Sequence, residues 1–175
     1  MAENNLWSPT DKNNFLTEFI TSINKKNFFK GNDYELLHKW SINNKKKFWS
    51  EVWNFTSIIG EYKDPVVENE NDFINSIFFK NSKLNFSQNL IQIKDDSDAL
   101  VFYSEKGFNR RISWKQLDEQ VSKIAHYFYN QKIQKGERVG AVLPNIPEAV
   151  ISFLGAAKIG AIWSSCSADF GPQAI

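Results

Sequence analysis

The sequence has few of the residue types that build metal centres and nucleophilic sites. Its single cysteine, Cys166, excludes an internal disulfide and cannot form a zinc site alone. Its two histidines, His38 and His126, lie far apart on different predicted helices, and neither has a second His or Cys at metal-ligand spacing. We therefore predict structural roles for both histidines, a small core residue at Cys166, and no metal site.

Phosphate-binding loops, long apolar runs and an excess of one charge are also absent. Neither G-x-G-x-x-G nor G-x-x-x-x-G-K-S/T occurs, so the residues alone predict no nucleotide-phosphate site. The net charge is +1, which gives no indication of binding to nucleic acid or to a membrane surface. No apolar run approaches the ~18 residues of a membrane span, and Met1–Asn5 carries no leader signal. We expect a cytoplasmic protein with no nucleic-acid or membrane partner.

The chain does have the apolar and aromatic content of a folded domain. A hydrophobic fraction of 42% and an aromatic fraction of 15% over 175 residues are sufficient for a core. In residues 1–90, apolar side chains recur at helical spacing and predict three helices. The first begins at Ser8-Pro9-Thr10-Asp11, the second is capped by Asp33, and the third is capped by Asn43 or Asn44.

Two segments of this first part are less regular. The run Lys45-Lys46-Lys47 falls in the first turn of the third helix, where the helix dipole does not favour cations. We interpret it as a solvated edge, with phosphate binding as the alternative. Residues 62–89 show no clear period and predict an extended segment on the surface of something larger.

The second part of the chain, residues 91–175, predicts an α/β arrangement that begins with a β-hairpin. Residues 99–103 form the first strand, and residues 110–114 pair back against it. Ser113 and Gln116 then form a capping box, which opens a helix with apolar residues at a 4-3-4 spacing.

A strand–helix–strand unit follows this helix. Residues 139–143 form a strand, Pro147 opens a helix, Gly160 ends it, and residues 161–166 return as a buried strand. This order predicts a βαβ unit with a right-handed crossover and a parallel sheet. Gly171-Pro172 predicts the opening of a further helix only three residues before the sequence stops. We therefore expect the incomplete start of a larger domain.

Short motifs in a fixed order identify a family. Leu84-Asn85-Phe86-Ser87-Gln88-Asn89-Leu90 is similar to the L-N-x-x-x-N-L segment of short-chain acyl-CoA synthetases. Phe48–Trp53 upstream, and Ile112–Leu117, Lys135–Val139 and Leu143–Ala149 downstream, occur in the order and spacing of the same family. Over nearly its whole length the chain resembles the adenylate-forming acyl-CoA synthetases.

The resemblance implies a domain layout and a reaction. Residues 1–90 correspond to an N-terminal cap region, and residues 91–175 to the start of the AMP-dependent synthetase/ligase domain. A complete enzyme would use ATP, Mg²⁺ and CoA to make an acyl-adenylate and then a thioester. The phosphate loop, the magnesium-binding acid and the lid lysine of the family do not occur in these residues. We therefore expect no catalytic residue here and no strong binding of these cofactors to this chain.

A shorter segment indicates a branch of the family and a candidate site. Trp163–Phe170 is similar to the acetoacetate-activating members, as is the Leu6-Trp7-Ser8-Pro9 start. Acetate-activating members carry Phe-Gly-Gly, lining the CoA channel, where this chain has Ser167, Ala168 and Asp169. The resemblance implies that these three residues belong to the channel wall, either as CoA contacts or as a loop that only shapes it. Ala and Asp do not allow the close backbone approach that glycine does.

Three interpretations remain open at this point. The chain is part of a ligase for acetoacetate, part of a sister ligase for acetate, propionate or another short acid, or a non-catalytic protein that binds a partner through its cap region. The third interpretation would need a chain that ends naturally at Ile175. The residues give no indication of the oligomeric state.

Overall fold

The computed structural model of the protein describes residues 14–173, and the chain divides into two compact units, Met1–Ser82 and Lys83–Ile175. The predicted helix start at Ser8–Asp11 lies outside the described residues. None of the helices within the described range combines the length and the apolar character needed to cross a membrane.

Three helices build the first unit from residue 14 onward: α1 Phe15–Lys25, α2 Tyr34–Asn43 and α3 Lys45–Phe55. Asp33 caps α2 as predicted, because its Oδ1 accepts a hydrogen bond from the Leu36 backbone N–H at 2.8 Å. Asn44 precedes α3, one of the two predicted positions, but its side chain does not cap that helix. Its Nδ2 instead donates to the Trp40 carbonyl at 3.0 Å.

The core of the first unit collects apolar side chains from α1, α2 and the loop between them: Phe19, Ile20, Ile23, Phe29 and Leu37. The Phe19 ring lies edge-on to Phe48 of α3, with ring centroids 5.9 Å apart. Glu51 is buried beside this core, and its carboxylate binds Lys26 Nζ at 2.6 Å and Lys47 Nζ at 3.4 Å. A buried carboxylate needs such partners to offset its lost hydration.

Residues 60–84 contain four strands of two residues each: β1 Gly60–Glu61, β2 Val67–Glu68, β3 Ile77–Phe78 and β4 Lys83–Leu84. Strands β2 and β3 pair antiparallel, with Val67 opposite Phe78. Trp53 of α3 packs against Tyr62 and Phe79, at centroid distances of 5.5 and 5.0 Å. The sequence predicted an extended segment but missed these strands, because two residues are too few to show a period of two.

The second unit continues from β4 with three helices and four strands: α4 Phe86–Leu90, β5 Asp98–Tyr103, β6 Asn109–Ser113, α5 Trp114–Asn130, β7 Arg138–Val142, α6 Pro147–Lys158 and β8 Ile162–Cys166. Strands β5 and β6 form the predicted antiparallel hairpin, with Val101 opposite Arg111. The capping box of α5 is confirmed. The Gln116 backbone N–H donates to Ser113 Oγ at 3.2 Å, and the Ser113 backbone N–H donates to Gln116 Oε1 at 3.0 Å.

Strands β7 and β8 are parallel, as the βαβ prediction requires, with Val139 opposite Trp163. Gly160 follows α6 with a φ of 78°, which confirms its predicted role at the helix end. The prediction of a buried β8 is wrong, since Ile162 is 48% exposed. Exposed and half-buried side chains alternate along β7, which shows that only one face of this sheet is covered in the described part of the chain. Pro172 lies in a turn, and the helix predicted beyond it would fall largely outside the described residues.

The core of the second unit lies between the hairpin and the helices: Ile91, Ile112, Leu117, Val121, Ile151 and Leu154. Helices α5 and α6 approach closely at Gly155, where an added Cβ would lie 2.5 Å from Cγ2 of Ile124. This core fixes α6 and, through it, the position of the loop that enters the helix.

Candidate functional site at the carboxyl edge of the parallel strands

The parallel pairing of β7 and β8 brings two loops to one edge of the sheet. Val142 lies opposite Cys166, and these are the last residues of their strands. Residues 143–146 and 167–169 therefore leave from the same edge, and we call them the edge loops. The Leu143 backbone N–H donates to the Cys166 carbonyl at 3.2 Å and joins the two. Open α/β sheets bind their ligands outside this carboxyl edge.

Ser167, Ala168 and Asp169, the residues that the resemblance assigned to a CoA channel wall, form the second edge loop. Ser167 Oγ donates to Asp169 Oδ2 at 2.9 Å and accepts from the Asp169 backbone N–H at 3.3 Å. The Phe170 backbone N–H donates to the Ser167 carbonyl, also at 3.3 Å. Ser167 is half-buried, whereas Ala168 and Asp169 are exposed. The loop is thus held by internal hydrogen bonds and presents a carboxylate to solvent.

The first edge loop leads into a helix start that is poorly suited to phosphate. Ile146, the N-cap of α6, has no side-chain oxygen or nitrogen, and Pro147 at the first helical position has no N–H to donate. Glu148 adds a negative charge in the first turn, where the helix dipole stabilises it. Its Oε1 accepts a hydrogen bond from Arg110 Nη1 at 2.6 Å, which is the main cause of a lowered pKa for Glu148. A phosphate would meet this carboxylate, in agreement with the absence of a phosphate-loop motif.

A groove of ≈ 380 Å³ separates β5 from the start of α6. Its walls come from the strand and from the first edge loop with the helix turn after it: Leu100, Val101, Phe102, Tyr103, Asn145, Ile146, Pro147 and Val150. These side chains are mainly apolar and none is charged, so the groove suits an apolar or amide-bearing group rather than an anion.

The lysine run of α3 has oxygen partners within its own unit. Lys45 Nζ donates to the Glu70 carbonyl at 2.6 Å, and Lys46 Nζ lies 3.6 Å from the Glu70 carboxylate. Lys47 Nζ lies 3.4 Å from the buried Glu51 carboxylate. All three ammonium groups therefore make structural contacts, which supports neither phosphate binding nor a purely solvated edge.

The histidines and the cysteine do not assemble into a site in the described residues. His38 and His126 are both exposed. No group of three or more His, Cys, Asp or Glu side chains within residues 14–173 could hold a metal ion. Cys166 is half-buried, with Sγ 4.0 Å from the Ala141 carbonyl. The prediction of a core cysteine is wrong, because β8 is covered on one face only.

A second recess, of ≈ 360 Å³, is lined by two lysines and one aspartate. Asp118 at its wall binds Lys94 Nζ at 2.9 Å and Lys158 Nζ at 3.4 Å. The hydrogen bond from Lys94 is the largest effect lowering the pKa of Asp118, and the charge of Lys158 adds to it. Since both ammonium groups already pair with Asp118, we assign the recess a structural role.

The pairs that join distant parts of the chain were not predicted from the sequence. Arg110 and Glu148 are 38 positions apart. Asn85 Nδ2 reaches across 72 positions to donate to the Ala157 carbonyl at 2.8 Å. No periodicity connects such residues, and the only available signal was that Asn85 and Glu148 fall within family-like motifs.

Comparison with known proteins first defines the class of the second unit. Residues 90–175 match the family model described as AMP-binding enzyme. This part of the chain, which includes both edge loops, therefore belongs to the AMP-binding enzymes, and the family resemblance inferred from the ordered motifs is confirmed.

Several relatives of the chain are acetoacetyl-CoA synthetases. The chain is 34% identical to the acetoacetyl-coenzyme A synthetase of Rhizobium meliloti (strain 1021), over 99% of this chain and 27% of that protein. It is 30% identical to a malonamoyl-CoA synthetase of Penicillium aethiopicum, over 97% of this chain and 25% of that protein. The solved acetoacetyl-CoA synthetase from Streptomyces lividans superimposes with a TM-score of 0.84 at 26% identity, covering 97% of this chain and 27% of that one. The chain thus spans about a quarter of the length of the relatives it matches.

Proposed function

We propose that this chain supplies the N-terminal part of an AMP-forming acid–CoA ligase that acts on acetoacetate. In that reaction a carboxylate oxygen of acetoacetate attacks the α-phosphorus of ATP, and the bond to the β-phosphate breaks to release pyrophosphate. The CoA thiolate then attacks the carbonyl carbon of the acyl-adenylate, and AMP leaves. The observation that carries the proposal is the match to acetoacetyl-CoA synthetases over nearly the entire chain, in sequence and in fold.

We further propose the assignment of parts within that ligase. Residues 1–90 form the cap region, and residues 91–175 begin the AMP-dependent synthetase/ligase domain. Ser167, Ala168 and Asp169 form part of the CoA channel wall, supported by their position at the carboxyl edge and by the exposure of two of them. We place ATP and Mg²⁺ elsewhere in the ligase, because the phosphate loop, the magnesium-binding acid and the lid lysine of the family do not occur in this sequence. The same proposal includes a cytoplasmic location and small-molecule substrates as the partners, with no nucleic-acid or membrane partner.

A second candidate differs only in the acid. The malonamoyl-CoA synthetase relative matches this chain with the same 97% coverage and 30% identity as several acetoacetyl-CoA synthetases. Sequence in this region therefore does not separate the two substrates. The acid is tested with the longest natural polypeptide that contains this chain, by comparing kcat/KM for acetoacetate with that for malonamate, acetate, propionate and butyrate. A higher value for any other acid would contradict the acetoacetate assignment and leave the ligase assignment intact.

The ligase assignment is tested by a chimera. The segment of the Rhizobium meliloti synthetase that aligns with this chain is replaced by residues 1–175, and acetoacetate-dependent exchange of pyrophosphate into ATP is measured. We expect exchange with the chimera, and none with residues 1–175 alone or with the relative lacking the segment. A chimera that folds but matches the segment-deleted relative would count against the proposal.

The channel-wall assignment is tested in the same chimera. Asp169→Ala removes the exposed carboxylate, and Ser164→Ala on the neighbouring strand is the matched control, since Ser164 is also exposed. We expect Asp169→Ala to raise the KM for CoA while the KM values for ATP and acetoacetate stay constant. If both variants keep the KM for CoA of the unsubstituted chimera, these residues belong to a loop that makes no contact with CoA.

A further inference from the structure

Arg110 and Glu148 connect the β-hairpin to the first turn of α6. Further along α6, Ile151 and Leu154 are 4% and 0% exposed and lie in the core. The first turn borders the ≈ 380 Å³ groove on one side, and on the other Pro147 is buried and Val150 packs against the core. Arg110 lies opposite Phe102 of the groove wall, and its Nη1 donates to Glu148 Oε1 at 2.6 Å. This ion pair is a polar connection between the hairpin and the helix start.

The first turn of α6 is linked to both edge loops by short backbone hydrogen bonds. Ile146 N–H donates to the Pro144 carbonyl at 2.9 Å, and Ala149 N–H donates to the Ile146 carbonyl at 3.0 Å. The Leu143 N–H then donates to the Cys166 carbonyl at 3.2 Å, immediately before the second edge loop. A displacement of the helix start is therefore transmitted through a few tightly bonded residues to both loops.

The side chain of Arg110 is partly buried and makes a polar contact with Glu148. Its Nε is buried without a hydrogen-bond partner, and one third of the side chain (33%) remains exposed. A planar guanidinium held in this way loses less freedom on forming a hydrogen bond than a flexible ammonium does. The hydrogen bond from Nη1 to Glu148 orients this group toward the helix start.

We propose that Arg110 and Glu148 are positioning residues that set the placement of both edge loops and, through them, the shape of the CoA channel wall. The identity of the ligand rests on the proposed function. The positioning itself does not, because it can be measured in this chain without CoA.

The only cysteine of the chain reports on this positioning. Cys166 lies half-buried at the junction of β8 and the second edge loop, so its alkylation rate reports how accessible the thiol is at this edge. Rates are compared for the wild type, Glu148→Gln, Arg110→Gln, the double variant and the charge swap Arg110→Glu/Glu148→Arg. Asp118→Asn is the matched control, since it breaks an ion pair with Lys158 at the other end of α6.

We expect each single variant to raise the alkylation rate of Cys166 about two- to fivefold, the range typical of a partly exposed ion pair. The double variant should resemble the single variants, because both remove the same contact. The charge swap should restore part of the protection, and Asp118→Asn should leave the rate unchanged. Hydrogen exchange should quicken at Leu143 and Phe170 while the α5 amides keep their rates.

Two results would overturn the proposal. One is an alkylation rate that is the same in the wild type and in all variants at the Arg110–Glu148 pair. The other is faster exchange across α5 and the hairpin as well, which would show that the pair stabilises the unit as a whole. If the loops loosen as expected but the KM of the chimera for CoA does not change in Glu148→Gln, positioning holds and the CoA assignment fails.

Discussion

Gly155 offers the sharpest test of how α5 and α6 pack. A Cβ at this position would lie 2.5 Å from Cγ2 and 3.0 Å from Cβ of Ile124, and 3.3 Å from the Ala125 backbone nitrogen. Helix propensity alone favours Ala over Gly by about 0.5–1 kcal/mol in a helix interior. Overpacking a closely packed core costs about 1–3 kcal/mol. Because the contact includes backbone as well as a side-chain end, we expect overpacking to win and Gly155→Ala to lower the free energy of unfolding by about 1–2 kcal/mol.

The assay is urea unfolding followed by circular dichroism, with Gly140→Ala as the control. Gly140 lies in β7, and a Cβ there would meet nothing within 4 Å, so its replacement should change stability by less than about 0.5 kcal/mol. In an Ile124→Ala background Cγ2 is gone, and Gly155→Ala should then cost about 1 kcal/mol less than in the wild type. If Gly155→Ala is as stable as the wild type or more so, the two helices move apart to accommodate the methyl group at no cost in free energy. The overpacking argument would then be wrong.

Three further predictions concern single contacts. The hydrogen bond from Lys94 is the main cause of a lowered pKa for Asp118 in the folded chain, so the ionised carboxylate stabilises the fold above about pH 4, and this contribution is lost as pH falls through the folded pKa. The difference in urea midpoint between the wild type and Asp118→Asn should therefore shrink below about pH 4. A difference that stays constant into acid would contradict this. Lys26→Met should destabilise the first unit more than Glu51→Gln does. It leaves a carboxylate only 4% exposed with a single ammonium partner, whereas the two lysines freed in Glu51→Gln are 47% and 43% exposed and can be hydrated. The reverse order in urea unfolding would refute this asymmetry. Ser113→Ala should cost about 1 kcal/mol by removing the cap of α5, and Ser113→Asp should recover most of it.

Local sequence rules predicted the elements whose determinants are close in the chain. The capping box of Ser113 and Gln116 spans three positions, and Gly160 ends α6 through its own backbone freedom. Asp33 caps α2 through a residue three positions away. In each case the hydrogen bond or dihedral angle depends on neighbours, so a single sequence contains the necessary information.

The candidate site depended on information that a local rule does not contain. Placing residues 143–146 and 167–169 at one edge follows from the predicted parallel pairing, and that part was accessible. The contact of Arg110 with Glu148 was not, because it requires the hairpin and α6 to share a core first. Burial was misjudged at Cys166 for a related reason. An apolar run is consistent with a strand covered on two faces, but the number of covered faces depends on the elements that pack against it.

Under the channel-wall proposal, the side chains of the second edge loop determine which part of CoA the loop can contact. Ala168 and Asp169 carry side chains, so a ligand cannot approach this backbone as closely as it could approach glycine. Oδ2 of Asp169 accepts a hydrogen bond from the Ser167 hydroxyl at 2.9 Å. Because the carboxylate is exposed, its oxygens can accept further hydrogen bonds. A carboxylate repels the pyrophosphate and the 3′-phosphate of CoA but accepts hydrogen bonds from the amide N–H groups of its neutral pantetheine arm. We therefore expect the loop to face that arm, and Asp169→Asn, which keeps the shape and removes the charge, to weaken CoA binding less than Asp169→Ala does.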